Sequence, residues 1–207
     1  MFSYPGSVRS FSFSDLEDEH LDLISSSDLL YIGNWNLNEK GTELARDAFE
    51  FAKRSGAITY FDMGDPSTKA RELKKLIEVL SSGCVDIVSV NENELMYLCS
   101  ELGIKWKNLE DAANGVQEAI ESRVDVHTKG FSFSKGKLVE TFKVKSKFIT
   151  GAGDVWNAGN IVGELLHFED VERLCLANAV AASYLLHFPN RPDLNAIKEF
   201  LEKSLID

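Results

Sequence analysis

The stretch VDIVSVNENELMYLCSEL, from Val85 to Leu102, decides the fold of this chain. Its first part, through Asn91, is a short and mostly apolar run of the kind that forms a buried β-strand. A segment with helical spacing of its apolar residues follows at once, from Glu92 to Leu102. A buried strand that leads directly into a helix is typical of β-α-β units, in which a helix connects two parallel strands. The stretch therefore predicts a parallel sheet covered by helices.

The same alternation of apolar runs and amphipathic segments extends along the chain in both directions. Further strands are predicted at Val8–Phe13, Asp28–Asn34, Ala57–Met63 and in RVDVHTKG, Arg123–Gly130. Further helices are predicted at Leu16–Ile24, Glu39–Arg54, from the GDPS turn to Leu80, and at Leu109–Glu121, Asp154–Leu166, Val171–Leu186 and Asp193–Leu201. The stretch from Phe131 to Val144 predicts a hairpin with Lys135 and Gly136 near its turn. This pattern predicts a single α/β domain over residues 1–207, a three-layer α/β/α arrangement with a mostly parallel sheet and a Rossmann-like core.

The composition indicates a globular chain with an acidic surface. The 207 residues include 33 acidic and 22 basic side chains, which gives a formal charge of −11, and 44% are apolar. Such a charge repels nucleic acids and anionic membranes, so neither is expected as a partner. No apolar run reaches the length of a membrane span, the N-terminus has no signal-peptide pattern, and the three cysteines lack disulfide-type or metal-type spacing. A cytoplasmic protein is therefore expected.

An anionic ligand of so acidic a protein needs a local binding device, and TGAGDVWNAG, Thr150 to Gly159, is a candidate. Apolar residues at helical spacing place the start of a helix at about Gly153, directly after a glycine turn. The backbone N–H groups of Ala152, Gly153 and Asp154 would then point at one spot, with the helix dipole behind them, and form an anion hole. In the alternative interpretation, the glycines only turn the chain and Asp154 only favours the helix N-terminus.

A second candidate is the amide–carboxylate pair Asn91 and Glu94, where the predicted strand meets the predicted helix. Ligands of parallel sheets collect at the carboxyl ends of the strands, and residues three apart face the same side of a helical turn. An amide and a carboxylate there could organise water around Mg²⁺, which takes oxygen ligands. Alternatively the pair is a capping box, with Asn91 as N-cap and Glu94 reaching back to its N–H.

Two further positions place polar groups where a ligand could approach. Thr128 and Gly130 end a predicted strand at the same sheet edge, where a glycine gives a nucleotide room; an ordinary turn is the alternative. Asn178 lies in the middle of the predicted helix Val171–Leu186, within LANAVAASYLL, a segment that is apolar nearly all round. A buried asparagine needs hydrogen-bond partners, which backbone groups or a ligand can supply. The four histidines have no partners at metal-type or triad-type spacing.

These four elements, in this order, resemble the ribokinase-like (PfkB) family of carbohydrate and nucleoside kinases. TGAGDVWNAG is similar to the C-terminal signature of that family: Gly151, Ala152, Gly153, Asp154 and Gly159 match it, and Trp156 stands where phenylalanine is usual. Asn91 and Glu94 fit the family's N-x-x-E motif. The resemblance extends from about Ser10 to the end of the chain.

The resemblance implies an ATP-dependent kinase, a phosphotransferase that acts on a hydroxyl group of a sugar, polyol or nucleoside. Phosphoryl transfer depends on positioning and on neutralising charge, which suits such residues. It implies that Asp154 is the general base and that Gly151, Ala152 and Gly153 belong to the catalytic anion hole. It places Asn91 and Glu94 at Mg²⁺ and the phosphates. It places Thr128 and Gly130 beside the nucleotide and Asn178 near the adenine.

The chain has no counterpart of the family's N-terminal third, with its first strands, the strands of its lid and a glycine pair at the substrate. The predicted ribokinase-like sheet is therefore N-terminally incomplete and begins with an edge that full members cover, which predicts either association, as in a homo-oligomer, or poor solubility of the isolated chain. Because the missing parts supply most sugar-binding residues, a second interpretation is a catalytically inactive nucleotide-binding subunit with a regulatory or assembly role. A third is a structural α/β domain whose motifs are only caps and turns.

Overall fold

The computed structural model describes residues 6–146, 149–188 and 194–204. Its helices are α1 (Asp18–Ser25), α2 (Gly41–Arg54), α3 (Leu73–Leu80), α4 (Glu92–Leu102), α5 (Leu109–Ile120), α6 (Ala152–Leu165), α7 (Asp170–His187) and α8 (Leu194–Ser204). Its strands are β1 (Leu29–Ile32), β2 (Ile58–Asp62), β3 (Ile87–Asn91), β4 (Arg123–His127), β5 (Phe131–Ser134) and β6 (Lys137–Glu140). From Asp18 onward each predicted helix and strand is present among the described residues, although α3 begins only after two short 3-10 turns at Pro66–Thr68 and Ala70–Glu72. The predicted start of the last helix, Asp193, lies outside the described residues.

The six strands form one sheet in the order β1-β2-β3-β4-β5-β6. Parallel pairing joins β1 to β2, with Leu29 opposite Ile58, and β2 to β3, with Tyr60 opposite Ile87. Antiparallel pairing joins β4 to β5 and β5 to β6. Helices α2 and α3 connect the parallel strands, because a parallel pair cannot be closed by a hairpin. The predicted α/β class is confirmed.

The tertiary contacts divide the chain into two compact units, Met1–Asp125 and Val126–Asp207, and the division falls within β4. In the first unit, the neighbouring residues Tyr60 and Phe61 of β2 are both fully buried. Successive side chains of a strand point to opposite faces, so both faces of β2 are covered. The core of the second unit includes Trp156, Leu174 and Ala177. None of the described helices combines the length and the apolar character that a membrane span requires.

The strand predicted at Val8–Phe13 is wrong. Two 3-10 helices, Gly6–Ser10 and Phe13–Asp15, occupy this region instead. The backbone N–H and the hydroxyl of Ser12 both donate to the Asp15 carboxylate at 2.8 Å, which closes the second turn locally. Serine and aspartate side chains offer the backbone an alternative to sheet pairing, and here that alternative prevails over a short alternation of apolar residues.

The hairpin predicted around Lys135 and Gly136 is confirmed. These two residues join β5 to β6, with Ser134 paired to Lys137. Lys135 has a φ of 46° and Gly136 a φ of 75°. Positive φ at both central residues defines a type I′ turn, whose twist matches that of the flanking strands.

Candidate functional site

Helix α6 begins in a tight turn at 149–152. The Ala152 N–H donates to the Ile149 carbonyl at 3.2 Å, and the Val155 N–H donates to the Gly151 carbonyl at 3.1 Å. Gly151 is the N-cap and has a φ of 83° and a ψ of −3°, a left-handed conformation that favours glycine. The helix therefore starts directly after a glycine turn, as the sequence predicts, and the turn itself uses the N–H group of Ala152.

Asp154 lies on the first turn of α6, next to Gly153, and its side chain is exposed. The N–H groups of a first helical turn have no acceptor four residues earlier within the helix. The positive end of the helix dipole stabilises a carboxylate at this place, and exposure leaves the carboxylate accessible to a ligand. A candidate base and candidate anion-binding N–H groups thus belong to adjacent residues of one turn.

Gly153 lies against the end of β4. A β-carbon added to Gly153 would be 3.3 Å from Cε1 of His127, so a larger residue would need the ring to move. The His127 ring stacks on Trp156, with centroids 4.9 Å apart and planes inclined by 31°. Sequence reasoning gives His127 no role, and its position directly before Thr128 is the signal that could have revealed it. His127 and Trp156 together support the first turn of α6.

Asn178 of α7 is hydrogen-bonded to Trp156 rather than open to a ligand. The Trp156 indole N–H donates to Asn178 Oδ1 at 2.9 Å, and the Asn178 amide donates to the carbonyls of Val139 and Glu140 at 3.4 and 3.3 Å. Asn178 is 2% exposed. Of the two kinds of partner considered for this asparagine, the structure supplies protein groups. A place near the adenine stays a prediction.

Thr128 and Gly130 form the turn from β4 to β5. The Thr128 hydroxyl donates to the Phe131 carbonyl at 2.8 Å and accepts the N–H groups of Gly130 and Phe131 at 3.0 and 2.9 Å. This hydroxyl therefore holds the turn in shape. Gly130 is exposed, and a β-carbon added there would have no neighbour within 4 Å, so the backbone is open at this point. Contact of either residue with a nucleotide stays a prediction.

Gly159 and Gly163 bring the backbone of α6 close to α7. A β-carbon added to Gly159 would be 2.9 Å from Cα of Ala177, and one added to Gly163 would be 2.9 Å from Cγ of Arg173. Arg173 is buried, pairs with Asp170 at 3.0 Å and bonds to Asn160 of α6. The Gly159 of the signature is thus a packing residue that fixes the helix carrying Asp154.

We expect Gly159→Ala to destabilise the protein by about 1–3 kcal/mol, the usual effect of overpacking a close contact. The added methyl group would meet the backbone of Ala177, which cannot turn aside as a flexible side chain can. Alanine also favours a helix by up to about 1 kcal/mol over glycine, so the two effects oppose each other. Urea unfolding measures the balance. Gly130→Ala, at an open position without positive φ, is the control and should change the unfolding free energy little; an equal loss in both variants would contradict the packing role.

In the first unit, Asn91 and Glu94 form a complete capping box at the N-terminus of α4. Asn91 Oδ1 accepts the Glu94 N–H at 3.1 Å, and the Glu94 carboxylate accepts the backbone N–H of Asn91 at 3.0 Å and its side-chain amide at 2.5 Å. The structure therefore contains the capping box that the alternative interpretation of this pair predicts. Two carboxylate oxygens offer about four acceptor sites, so the box leaves room for further contacts to a hydrated ion.

The carboxyl group of Glu94 has an unusual environment. It is 4% exposed, and burial, together with the charges of Asp62 and Asp65, raises the pKa of Glu94 to about 8. Asp62 ends β2, and Asn91 ends β3. Three carboxyl groups thus gather where these parallel strands end, the edge at which such sheets bind ligands. Sequence reasoning missed Asp62 and Asp65, although an acid at the end of a predicted strand is a usable signal.

A family of known proteins matches most of the chain. The model of the pfkB family of carbohydrate kinases matches residues 2–188. The chain belongs to the pfkB family. The resemblance drawn from the four motifs is thereby confirmed, and all the predicted site residues lie within the matched region. No curated protein matches the chain with significance.

Several solved kinases share the fold of this pfkB family member. The ribokinase of Thermotoga maritima is 25% identical, with a TM-score of 0.72, over 96% of this chain and 64% of its own. The adenosine kinase of Sinorhizobium meliloti is 20% identical, with a TM-score of 0.73, over 93% of this chain and 58% of its own. The 2-dehydro-3-deoxygluconokinase of Thermotoga maritima is 16% identical, with a TM-score of 0.77, over 95% of this chain and 65% of its own. The chain thus spans less than two thirds of the length of each of these proteins.

Proposed function

We propose that this chain is the nucleotide-binding and catalytic portion of an ATP-dependent phosphotransferase that acts on a hydroxyl group of a sugar, polyol or nucleoside. The observation that carries the proposal is the exposed Asp154 on the first turn of α6, directly after the left-handed Gly151, in a chain of the carbohydrate kinase family. The likeness to a ribokinase and an adenosine kinase supports a hydroxyl-bearing small molecule as acceptor.

In the proposed reaction, Asp154 accepts the proton of the acceptor hydroxyl. The hydroxyl oxygen of the acceptor then bonds to the terminal phosphorus of ATP as the bond from that phosphorus to ADP breaks. The N–H groups of Gly153 and Asp154, with the dipole of α6 behind them, would stabilise the charge of the transferred group. The Ala152 N–H is bonded to the Ile149 carbonyl, so we expect it to contribute less than its two neighbours. The acid and the anion hole thus act from a single helical turn.

The acidic residues of the first unit suit Mg²⁺. Carboxylates and amides are its preferred protein ligands, and the raised pKa of Glu94 indicates a carboxyl group that a nearby cation would help to ionise. Glu94 and Asp62 would hold the ion, with Asn91 orienting the Glu94 carboxylate through the capping box. A bound Mg²⁺ would offset part of the charge of the nucleotide phosphates. The structure of a ribokinase II candidate from E. coli, 22% identical to this chain, contains ATP and Mg²⁺.

For the nucleotide itself, the open backbone at Gly130 is the feature of this structure that suits a bound ligand. Thr128 would shape the turn that receives it, and Asn178 would act indirectly, by holding Trp156 under the first turn of α6. The ribokinase of Arabidopsis thaliana, 21% identical to this chain, is complexed with ribose and ATP, which supports ATP as the phosphoryl donor.

A second candidate function is a nucleotide-binding subunit without kinase activity. It needs only the open backbone at Gly130 to receive a nucleotide, and no acceptor hydroxyl at Asp154. We further propose a cytoplasmic location, from the composition, and self-association at the outer edge of β1, which ends the sheet order.

Two measurements test these functions. Isothermal titration calorimetry with Mg·ATP should show binding; no heat of binding would leave only the structural α/β domain. Phosphoryl transfer to a panel of sugars, polyols and nucleosides, followed as ADP release, should then show turnover with at least one acceptor. Binding of Mg·ATP without turnover on any acceptor would favour the regulatory or assembly subunit.

A further inference from the structure

Tyr184 of α7 contacts the turn that precedes α6. Its hydroxyl donates to the Thr150 carbonyl at 3.1 Å. A β-carbon added to Gly151 would be 2.9 Å from the same hydroxyl oxygen, so the phenol lies directly over the glycine. The ring is half-buried and packs edge-on against Phe188, with centroids 5.8 Å apart. One side chain of α7 thus holds the entrance of the helix that carries Asp154.

The hydrogen bond from Tyr184 selects one orientation of the peptide between Thr150 and Gly151. The turn at 149–152 is closed by the bond from the Ala152 N–H to the Ile149 carbonyl, and Gly151 at its third position has a φ of 83° and a ψ of −3°. These angles belong to a type II turn, for which about +80° and 0° are expected, whereas a type I turn has its central peptide rotated and a negative φ at this position. A rotated peptide would turn the Thr150 carbonyl away from the Tyr184 hydroxyl.

The orientation of that carbonyl fixes the direction of the N–H group next to it. A trans peptide is planar, and its C=O and N–H bonds point in opposite directions. The bond between Tyr184 and the Thr150 carbonyl therefore holds the Gly151 N–H directed away from the phenol. The N-cap Gly151 directly precedes Ala152, Gly153 and Asp154. The direction of the Gly151 N–H at the N-terminus of α6 thus depends on Tyr184, a residue far along the chain.

We infer that Tyr184 is a positioning residue, which locks the Thr150–Gly151 peptide so that the Gly151 N–H supplements the anion hole at the start of α6. The inference rests on the proposed phosphotransferase function. Tyr184 itself touches no reacting atom, so its contribution concerns the transferred phosphoryl group and leaves ground-state binding largely unaffected. A hydrogen-bond donor that acts on charge developing in the transition state affects turnover rather than binding affinity.

The test is Tyr184→Phe, which keeps the ring over Gly151 and removes only the hydroxyl. One hydrogen bond is typically worth about 1 kcal/mol, so we expect kcat to fall roughly three- to tenfold while KM for Mg·ATP and for the acceptor stay nearly constant. The nuclear Overhauser effect between the Thr150 Hα and the Gly151 N–H, measured by NMR without any ligand, should weaken, because these atoms lie close together in a type II turn and further apart when the central peptide is rotated. Tyr97→Phe, another half-buried tyrosine in α4 of the first unit, is the matched control and should change neither quantity.

Each result has a distinct meaning. A weaker Overhauser effect together with a selective loss of kcat supports the positioning role. An unchanged Overhauser effect shows that the hydroxyl does not hold the peptide orientation. A weaker effect with unchanged kcat limits Tyr184 to a structural role. Either result overturns the inference. An unsubstituted chain that binds Mg·ATP but turns over no acceptor would refute the phosphotransferase proposal, and the positioning role with it, whereas the Overhauser measurement still reports on the turn.

Discussion

Asp154→Asn is expected to lower turnover by roughly 10²–10⁴-fold, the range that general-base catalysis contributes, while the affinity for Mg·ATP stays nearly constant. Asparagine has the size of aspartate and is also well tolerated near a helix N-terminus, so α6 should begin as before. It cannot take the proton of an acceptor hydroxyl, because an amide is not a base at neutral pH. Steady-state turnover and calorimetric titration of the same preparation give the two quantities.

A matched control for this variant is Asp18→Asn. Asp18 is an exposed aspartate on the first turn of α1, so the same charge is removed from an equivalent place in another helix. It should leave turnover and nucleotide affinity unchanged. A strong loss of nucleotide affinity in Asp154→Asn would point to a binding role for this carboxylate, and turnover near that of the unsubstituted chain would show that Asp154 is not the base.

Glu94→Gln should make the stability of the protein less dependent on pH. The folded state raises the pKa of Glu94 from 4.5 to about 8. Between these values the folded state binds more protons than the unfolded state, so the stability that the protonated Glu94 provides is lost as the pH rises. A permanently neutral glutamine can still complete the capping box. We expect the variant to gain about 2–4 kcal/mol relative to the unsubstituted chain between about pH 5 and pH 8.5, measured by urea unfolding.

The same experiment tests the magnesium proposal. At about pH 8.5, millimolar Mg²⁺ should stabilise the unsubstituted chain by about 1 kcal/mol and Glu94→Gln much less, because binding to the folded state adds to its stability. Potassium chloride of equal ionic strength corrects for screening. Glu101→Gln, an exposed position at the other end of α4, should follow the unsubstituted chain. Equal stabilisation of all three proteins by Mg²⁺ would contradict an ion at Glu94.

Local patterns in the sequence were sufficient for much of the fold and for part of the site. Helix α4 occupies the predicted range from Glu92 to Leu102, because its cap, its apolar spacing and the glycine after it are all encoded within that stretch. The start of α6 is predicted to within two residues for the same reason, since Gly151 adopts the left-handed conformation that ends the turn. Features that depend on neighbouring residues in the chain are legible in a single sequence.

Features that depend on distant residues cannot be predicted from local patterns in the sequence. Asp62 and Asp65 raise the pKa of Glu94 only because β2 and β3 are adjacent in the sheet, which no local spacing reveals. His127 stacks on Trp156 across a long stretch of chain. The strand predicted at Val8–Phe13 failed for the opposite reason: its alternation of apolar residues was real, but the side chains of a serine and an aspartate closed local turns there.

The contact between α6 and α7 has a mechanical consequence. Helices that are separated by a layer of side chains can shear past one another as those side chains change rotamer. At Gly159 the backbone of α6 meets the backbone of Ala177, and at Gly163 it meets the backbone and side chain of Arg173, with no side chain of α6 in between. We therefore expect α6 to keep its position relative to α7 during turnover. A closing motion around a nucleotide would then come from other segments. Structures with and without nucleotide should superpose in the α6–α7 pair to within about 1 Å, and a rotation of α6 on α7 would contradict this.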